Sequence, residues 1–229
     1  MSKTAQWISG ITLALLLVAA PVAWSKIRKH HFRNFRSVEA GVLYRSGQLS
    51  PDGLKRVIHD HGIKTVVSLR AARNDGEAAP DLAEQKYCLS QEMKYHRLPF
   101  WKADGTAPDD ANVAKFLAIM DDPKNYPVLV HCFAGKHRTG TFVAVWRMEK
   151  QRWSNAEAIA ELQANGYEHL QQHEDVDGFL KNYVPRWKRA AADNFTSGRY
   201  SLRMKLADDA EPAEQLDFSG KLSGQSPEQ

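Results

Sequence analysis

Thirteen residues, Val128-Leu-Val-His-Cys-Phe-Ala-Gly-Lys-His-Arg-Thr-Gly140, constrain the fold more than any other part of the chain. The apolar run up to His131 reads as a strand buried on both faces, because a strand with one wet face would alternate with polar side chains. A glycine-containing loop follows, and an apolar-rich helix is predicted from Arg138 or Thr139 through Lys150. Strand, tight loop and helix start bring several backbone N–H groups to one point at the positive end of a helix, which binds an anion before any side chain is counted. Cys132 opens this loop and Arg138 closes it, with five residues between them. That spacing lets the loop curl around a tetrahedral phosphate while Arg138 grips two oxygens in a bidentate fork. The same field lowers a thiol pKa, so Cys132 is expected to be a thiolate near neutral pH and a nucleophile toward phosphorus. Thr139 stands where its hydroxyl can hydrogen-bond the departing sulfur. His131 is expected to hold loop and cysteine through side-chain to backbone bonds, and Phe133, Ala134, Gly135, Lys136 and His137 complete the substrate-binding loop.

The remaining pattern alternates strand and helix. Short strands are predicted at Val42–Arg45, Ile63–Leu69 and Tyr95–Leu98. Helices are predicted from Ser50-Pro51 to His61 with Gly62 as the stop, over residues 80–92, and from Thr106 or Pro108 through Met120. Ser154 with Glu157 forms a capping box for a helix to about Asn165, and Val176–Tyr183 is one more. Such alternation implies an α/β layer fold.

Composition limits the alternatives. The 229 residues carry 31 Lys+Arg and 27 Asp+Glu, with 43% hydrophobic side chains, which excludes disordered, collagen-like and multi-span membrane chains. Two cysteines, Cys88 and Cys132, are too few for a disulfide framework or a cysteine-based zinc site. The net +4 is unevenly spread: residues 26–36 hold five Lys/Arg and no acid, residues 181–205 are basic, and residues 208–217 are acidic. No nucleic-acid motif accompanies the basic stretches, so nucleic acid is not an expected partner. From Trp7 to Trp24 no charge occurs for 18 residues, about 27 Å of helix. Residues 1–25 are therefore read as a single membrane anchor, with a secretory signal cleaved near Ala23-Trp24-Ser25 as the alternative. The basic residues after the run favour a cytoplasmic carboxy-terminal domain. The expected organisation is a basic juxtamembrane linker over 26–37, one catalytic domain over 38–193 and a flexible tail over 194–229.

His131-Cys132-x5-Arg138-Thr139 resembles the signature of the cysteine-dependent protein tyrosine and dual-specificity phosphatases. Val42–Gln48 (VLYRSGQ), Ile63–Arg70 (IKTVVSLR) and Ser154–Tyr167 resemble the atypical dual-specificity group of bacteria, fungi and plants. The run GKHRTG, Lys136 above all, resembles the loop of the fungal and plant enzymes acting on inositol pyrophosphates. The resemblance implies a central mixed sheet flanked by helices and hydrolysis of phosphomonoesters through a phosphocysteine. It also implies a phosphorylated protein or an inositol phosphate as substrate, and no metal or cofactor. A rhodanese-type sulfurtransferase and a catalytically inactive phosphate-binding module are the alternatives. The family's general acid, an aspartate some thirty residues before the cysteine, is assigned to Asp104, with Asp109 next; Asp109 and Asp110 read better as first-turn helix acids. Cys88 reads as a buried structural cysteine or as a disulfide guard of Cys132. Arg45 and Arg70 read as core-edge salt-bridge formers or as supports of the loop. His96, His169 and His173 show no metal-binding spacing, and Trp187 with Arg186, Lys188 and Arg189 reads as a helix end or a membrane-surface contact.

Overall fold

Local signals set the first helix. Ser50 accepts a hydrogen bond from the Gly53 N–H, Pro51 occupies the first turn, and Gly62 closes the helix in the left-handed region at φ +62°. In this computed structural model, which describes residues 17, 19–21, 31–71, 77–99 and 106–191, that helix is α1, Pro51–His61. The others are α2 Leu82–Ser90, α3 Asp110–Asp121, α4 His137–Lys150, α5 Asn155–Ala164 and α6 Glu174–Asn182. The strands are β1 Arg36–Glu39, β2 Leu43–Ser46, β3 Thr65–Ser68, β4 Lys94–Arg97 and β5 Val128–His131. They form one sheet in the order β1-β2-β5-β3-β4, antiparallel only between β1 and β2. The expected central mixed sheet flanked by helices is therefore present. Within α5, Ser154 and Glu157 make the predicted capping box.

Alternation along the strands sends side chains to two cores. Leu43, Val67, Val128 and Val130 face Phe116, Phe142, Trp146, Leu162 and Leu180 on the side of α3 to α6. Tyr44, Val66 and Leu129 face Leu54, Val57 and Cys88 on the side of α1 and α2. α4 is buried nearly all round, as a central helix with apolar residues on every face must be. The register places Ser46, His131 and Ser68 side by side at the carboxy ends of three parallel strands. The loops leaving those ends meet at one edge of the sheet, the usual crevice for a ligand in parallel α/β folds.

Within the stretch read as a linker over 26–37, Phe32 and Phe35 pack against the second core and Arg36 begins β1. The chain divides into two units, Met1–Pro185 and Arg186–Gln229. In the second unit the Lys188 ammonium lies 5.3 Å from the Trp187 ring centroid. The apolar run falls outside the described residues except for Leu17 and residues 19–21, which are helical and exposed. Among the described residues no helix is long and apolar enough to cross a membrane. Asp104 also lies outside the described residues.

Candidate active site

The loop from Cys132 to Lys136 leaves β5 and turns into α4 over Gly135, which has φ +73°. A Cβ there would lie 2.3 Å from Gly47 N and 2.4 Å from the Ser46 carbonyl carbon, so glycine alone lets the loop press on the end of β2. Cys132, 2% exposed, sits inside the turn. Its Sγ receives the Gly135 N–H at 3.2 Å, and the hydroxyl and N–H of Thr139, close by at the start of α4, favour its charged form. Burial pushes this thiol up, but those donors and the Arg138 charge outweigh it and hold it below the ordinary cysteine value. Arg138 Nη1 donates to the Leu69 carbonyl at 3.1 Å, anchoring the guanidinium at the end of β3.

The loop carbonyls point away from the sulfur. Phe133 O accepts from Gln48 N at 2.9 Å, and Gly135 O accepts from Arg45 Nη2 at 2.9 Å. Arg45 is buried, which lowers its guanidinium to about 10 with Glu161 opposing the shift. Its partners are loop carbonyls, so the salt-bridge reading of Arg45 gives way to support of the loop. Arg70 donates to Gln48 Oε1 at 3.0 Å, and its guanidinium lies 5.4 Å from the centroid of the half-exposed Phe133 ring. On the opposite rim, His137 stacks on Tyr167 at 4.1 Å, and the Lys136 stem lies along Gly166. One buried turn thus brings together the Gly135 N–H, the Arg138 guanidinium and a thiol held below its ordinary value.

The family model described as DSP-PTPase phosphatase fused to NAD+ kinase matches residues 22–178. The chain belongs to the DSP-PTPase phosphatases. Over 131 residues it is 34% identical to the putative tyrosine-protein phosphatase OCA1 of Mycosarcoma maydis, covering 56% of this chain and 76% of that one. It is 31% identical over 115 residues to the tyrosine-protein phosphatase-like protein OCA2 of Saccharomyces cerevisiae, covering 50% of this chain and 55% of OCA2. The chain thus spans about half the length of OCA2. Its fold is similar to the core catalytic domain of the PP-IP phosphatase SIW14 from S. cerevisiae. The TM-score is 0.56 at 22% identity, over 72% of this chain and 94% of that domain.

In this DSP-PTPase the loop is braced from beneath by a buried pair. His131 Nε2 lies 2.6 Å from Glu84 Oε1 of α2, and His131 Nδ1 donates to the Cys132 carbonyl at 3.3 Å. Burial opposes the imidazolium, but the charge and hydrogen bond of Glu84, then the Cys132 carbonyl and sulfur, raise His131 above its ordinary value. Gln48 Nε2 donates to Glu84 Oε2 at 2.5 Å. Tyr95 donates to Asp81 Oδ2 at 2.6 Å, and Arg97 Nη2 pairs with Asp81 Oδ1 at 2.8 Å. Ser68 also donates to Asp81. Asp81, Glu84 and His131 offer ligand atoms within 4.8 Å of one another, yet donors already occupy both carboxylates, so the group is a hydrogen-bond network rather than a cation site.

Glu84→Gln keeps the shape and removes the charge that sustains the imidazolium. The positive group adjoining Cys132 is then lost, and the acid limb of kcat/KM against pH is expected to move to higher pH. Linkage adds a second readout. A histidine raised on folding contributes stability in full below about pH 6.5 that disappears as pH climbs through its folded value. Denaturant unfolding across pH 6 to 9 should show that slope in the wild type and lose it in Glu84→Gln. Coincident profiles for the two proteins would exclude an ionised pair.

Asp109 caps α3: one carboxylate oxygen accepts from Asn112 N at 2.6 Å and the other from Asn112 Nδ2 at 3.0 Å. Cys88 is fully buried in α2 and its thiol is pushed up to about 12 by burial and then by Glu84, which fits an inert core cysteine. Burial and then Lys94 lower His96 below its ordinary value. His173 Nδ1 lies 2.8 Å from the Tyr167 hydroxyl, making His173 part of the rim. Glu84 and Gln48 were not visible as site residues from sequence. Glu84's one trace is its spacing, one turn from Cys88 on the helix face that is buried.

Proposed function

We propose that the chain hydrolyses phosphomonoesters of tyrosine or dual-specificity protein substrates through a phosphocysteine at Cys132. The buried Cys132 sulfur facing the Gly135 and Thr139 donors beside Arg138 is the observation that carries the reading. The thiolate attacks phosphorus, Arg138 and the N–H groups of residues 133 to 138 hold the three equatorial oxygens, and the P–O bond to the leaving group breaks. Asp104 gives its proton to the leaving oxygen. Water then attacks phosphorus and returns a proton to Asp104, while the S–P bond breaks, its electron pair leaves on Cys132 as the thiolate, and the Thr139 hydroxyl donates a hydrogen bond to that sulfur. His131 positions the cysteine, and Phe133, Ala134, Gly135, Lys136 and His137 shape the pocket. Vanadate-sensitive hydrolysis of an aryl phosphate under reducing conditions tests this reading. No turnover of aryl, peptide or inositol substrates would favour the inactive phosphate-binding module. Asp104→Asn is expected to cut kcat about 100-fold with alcohol or phenol leaving groups while leaving phosphate inhibition unchanged. An unchanged rate would move the acid elsewhere.

A second reading, an inositol phosphate or phosphoinositide substrate, draws on the cations at the mouth. Arg33 and Arg70 flank the exposed Phe133 ring at 4.5 and 5.4 Å, and Lys136 lies on the opposite rim. Parallel turnover of a phosphotyrosine peptide and of inositol phosphates separates the two.

The uncharged run over residues 7–24 is proposed as a membrane anchor with the catalytic domain on the cytoplasmic side, because Lys26, Arg28 and Lys29 follow it. A carboxy-terminal fusion reporter active only outside the cytoplasm should stay silent; a lit reporter would indicate export.

A further inference from the structure

The basic stretch before β1 reaches the phosphate loop. Residues 31–35 run across the end of β2 as a strap seated on two glycines. A Cβ at Gly53 would lie 2.0 Å from His31 O, and one at Gly47 would lie 2.7 Å from the Arg33 side chain. Gly47 N donates to Arg33 O at 2.7 Å, and His31 Nδ1 lies 2.6 Å from Ser50 Oγ. Phe35 stacks on Tyr44 with centroids 5.8 Å apart and rings within 4° of parallel. Between these fixed points Asn34 takes φ +48°, a left-handed conformation that asparagine tolerates better than most residues. From there its Nδ2 donates to the Ala134 carbonyl at 2.8 Å, while Arg33 Nη1 lies 3.4 Å from the Phe133 carbonyl.

The Ala134 carbonyl and the Gly135 N–H belong to one planar trans peptide unit, so they point in opposite directions. The carbonyl is held by Asn34, and the N–H donates to Cys132 Sγ at 3.2 Å. We propose that Asn34 is a positioning residue of the active site, fixing the 134–135 peptide so that its N–H rather than its carbonyl faces the nucleophile and the bound phosphate. Released from Asn34, the peptide can rotate and turn a carbonyl dipole toward the thiolate, which repels both sulfur and phosphate oxygens. The stretch that follows the apolar run is by this account part of the catalytic machinery, and the assignment rests on Cys132 being the nucleophile.

Two variants test it. Asn34→Gly keeps the left-handed backbone and removes the amide, and Asn34→Asp keeps the size but presents an acceptor to the carbonyl. Both are expected to slow alkylation of Cys132 by iodoacetamide at pH 6.5 about tenfold and to weaken inhibition by inorganic phosphate by a similar factor, with the aspartate variant the more affected. A merely structural role would lower the melting temperature and leave both readouts of the folded protein unchanged. Wild-type reactivity and phosphate inhibition in either folded variant would overturn the assignment. If the wild-type Cys132 itself resists alkylation at pH 6.5, the nucleophile reading fails and this inference fails with it. Should Asn34→Asp not fold, Asn34→Gly decides alone, because no side chain in it strains the positive φ.

Discussion

Cys132→Ser is expected to remove at least about 10⁴-fold of kcat, some 5.5 kcal/mol of transition-state stabilisation, without unfolding the protein. Serine fits the same turn and can still receive the Gly135 N–H now 3.2 Å from the sulfur. What it cannot do is ionise. The buried donors and Arg138 lower the thiol below its ordinary value, but an alcohol starts far too high for the same field to deprotonate it. The anion site itself should survive. A phosphate entering the wild-type pocket meets a thiolate of like charge; one entering the serine variant meets a neutral hydroxyl, so phosphate is expected to bind at least as tightly. The pH dependence of stability also has a definite sign. A cysteine depressed on folding contributes stability in full above its ordinary value of 9.0, and this is lost as pH falls through the folded value. The serine variant should therefore lose that slope. Turnover of an aryl phosphate, calorimetric titration with phosphate and denaturant unfolding check the three parts. Residual turnover above one part in a hundred would reject Cys132 as nucleophile.

What the sequence disclosed depended on how local the signal was. Ser50 with Pro51 and Gly62, and Ser154 with Glu157, act within one or two turns, and these helices begin and end where those residues stand. The loop from Cys132 to Arg138 was legible for the same reason: its strand, cysteine, glycine, arginine and helix are contiguous. β1 left no such trace, because RSVE is a partly exposed edge strand with an irregular register between Ser37 and Glu39 and no buried apolar run. Phe32 and Phe35 stand among cations, so KHHFRNFR reads as a linker until the second core, with Tyr44 and His61 beside Phe35, supplies the surface they pack on. Long-range polar pairs were illegible outright. Nothing in α2 announces that Glu84 meets His131, nor in the strap that Asn34 meets Ala134 exactly one hundred positions away. These are the contacts by which the fold, rather than the loop's own sequence, orients the loop.

Gly135→Ala should be the most damaging substitution that leaves every catalytic side chain in place. The cost has two parts of different origin. A left-handed φ of +73° costs alanine about 1 kcal/mol. The methyl would also stand 2.3 Å from Gly47 N, 2.4 Å from the Ser46 carbonyl carbon and 2.6 Å from Ser46 O. Those are backbone atoms at the end of β2, a strand paired on both sides by β1 and β5, and they cannot step aside as a flexible side chain would. Overpacking of this kind adds about 1–3 kcal/mol, for a total near 3 kcal/mol. Relief requires the loop to lift off β2, which carries the Gly135 N–H away from Cys132 and its carbonyl away from Arg45, the contacts that shape the anion site. Loss of one oriented oxyanion donor is worth about 10²–10³ in rate, so kcat/KM should fall by that order in the fraction that folds. Gly62→Ala isolates the first part, since Gly62 has φ +62° and a Cβ there meets nothing within 4 Å. It should cost about 1 kcal/mol and leave turnover unchanged. Equal unfolding midpoints for the two variants would show that the loop is not pressed against β2; a wide gap, with activity lost only at Gly135, is the result the packing demands.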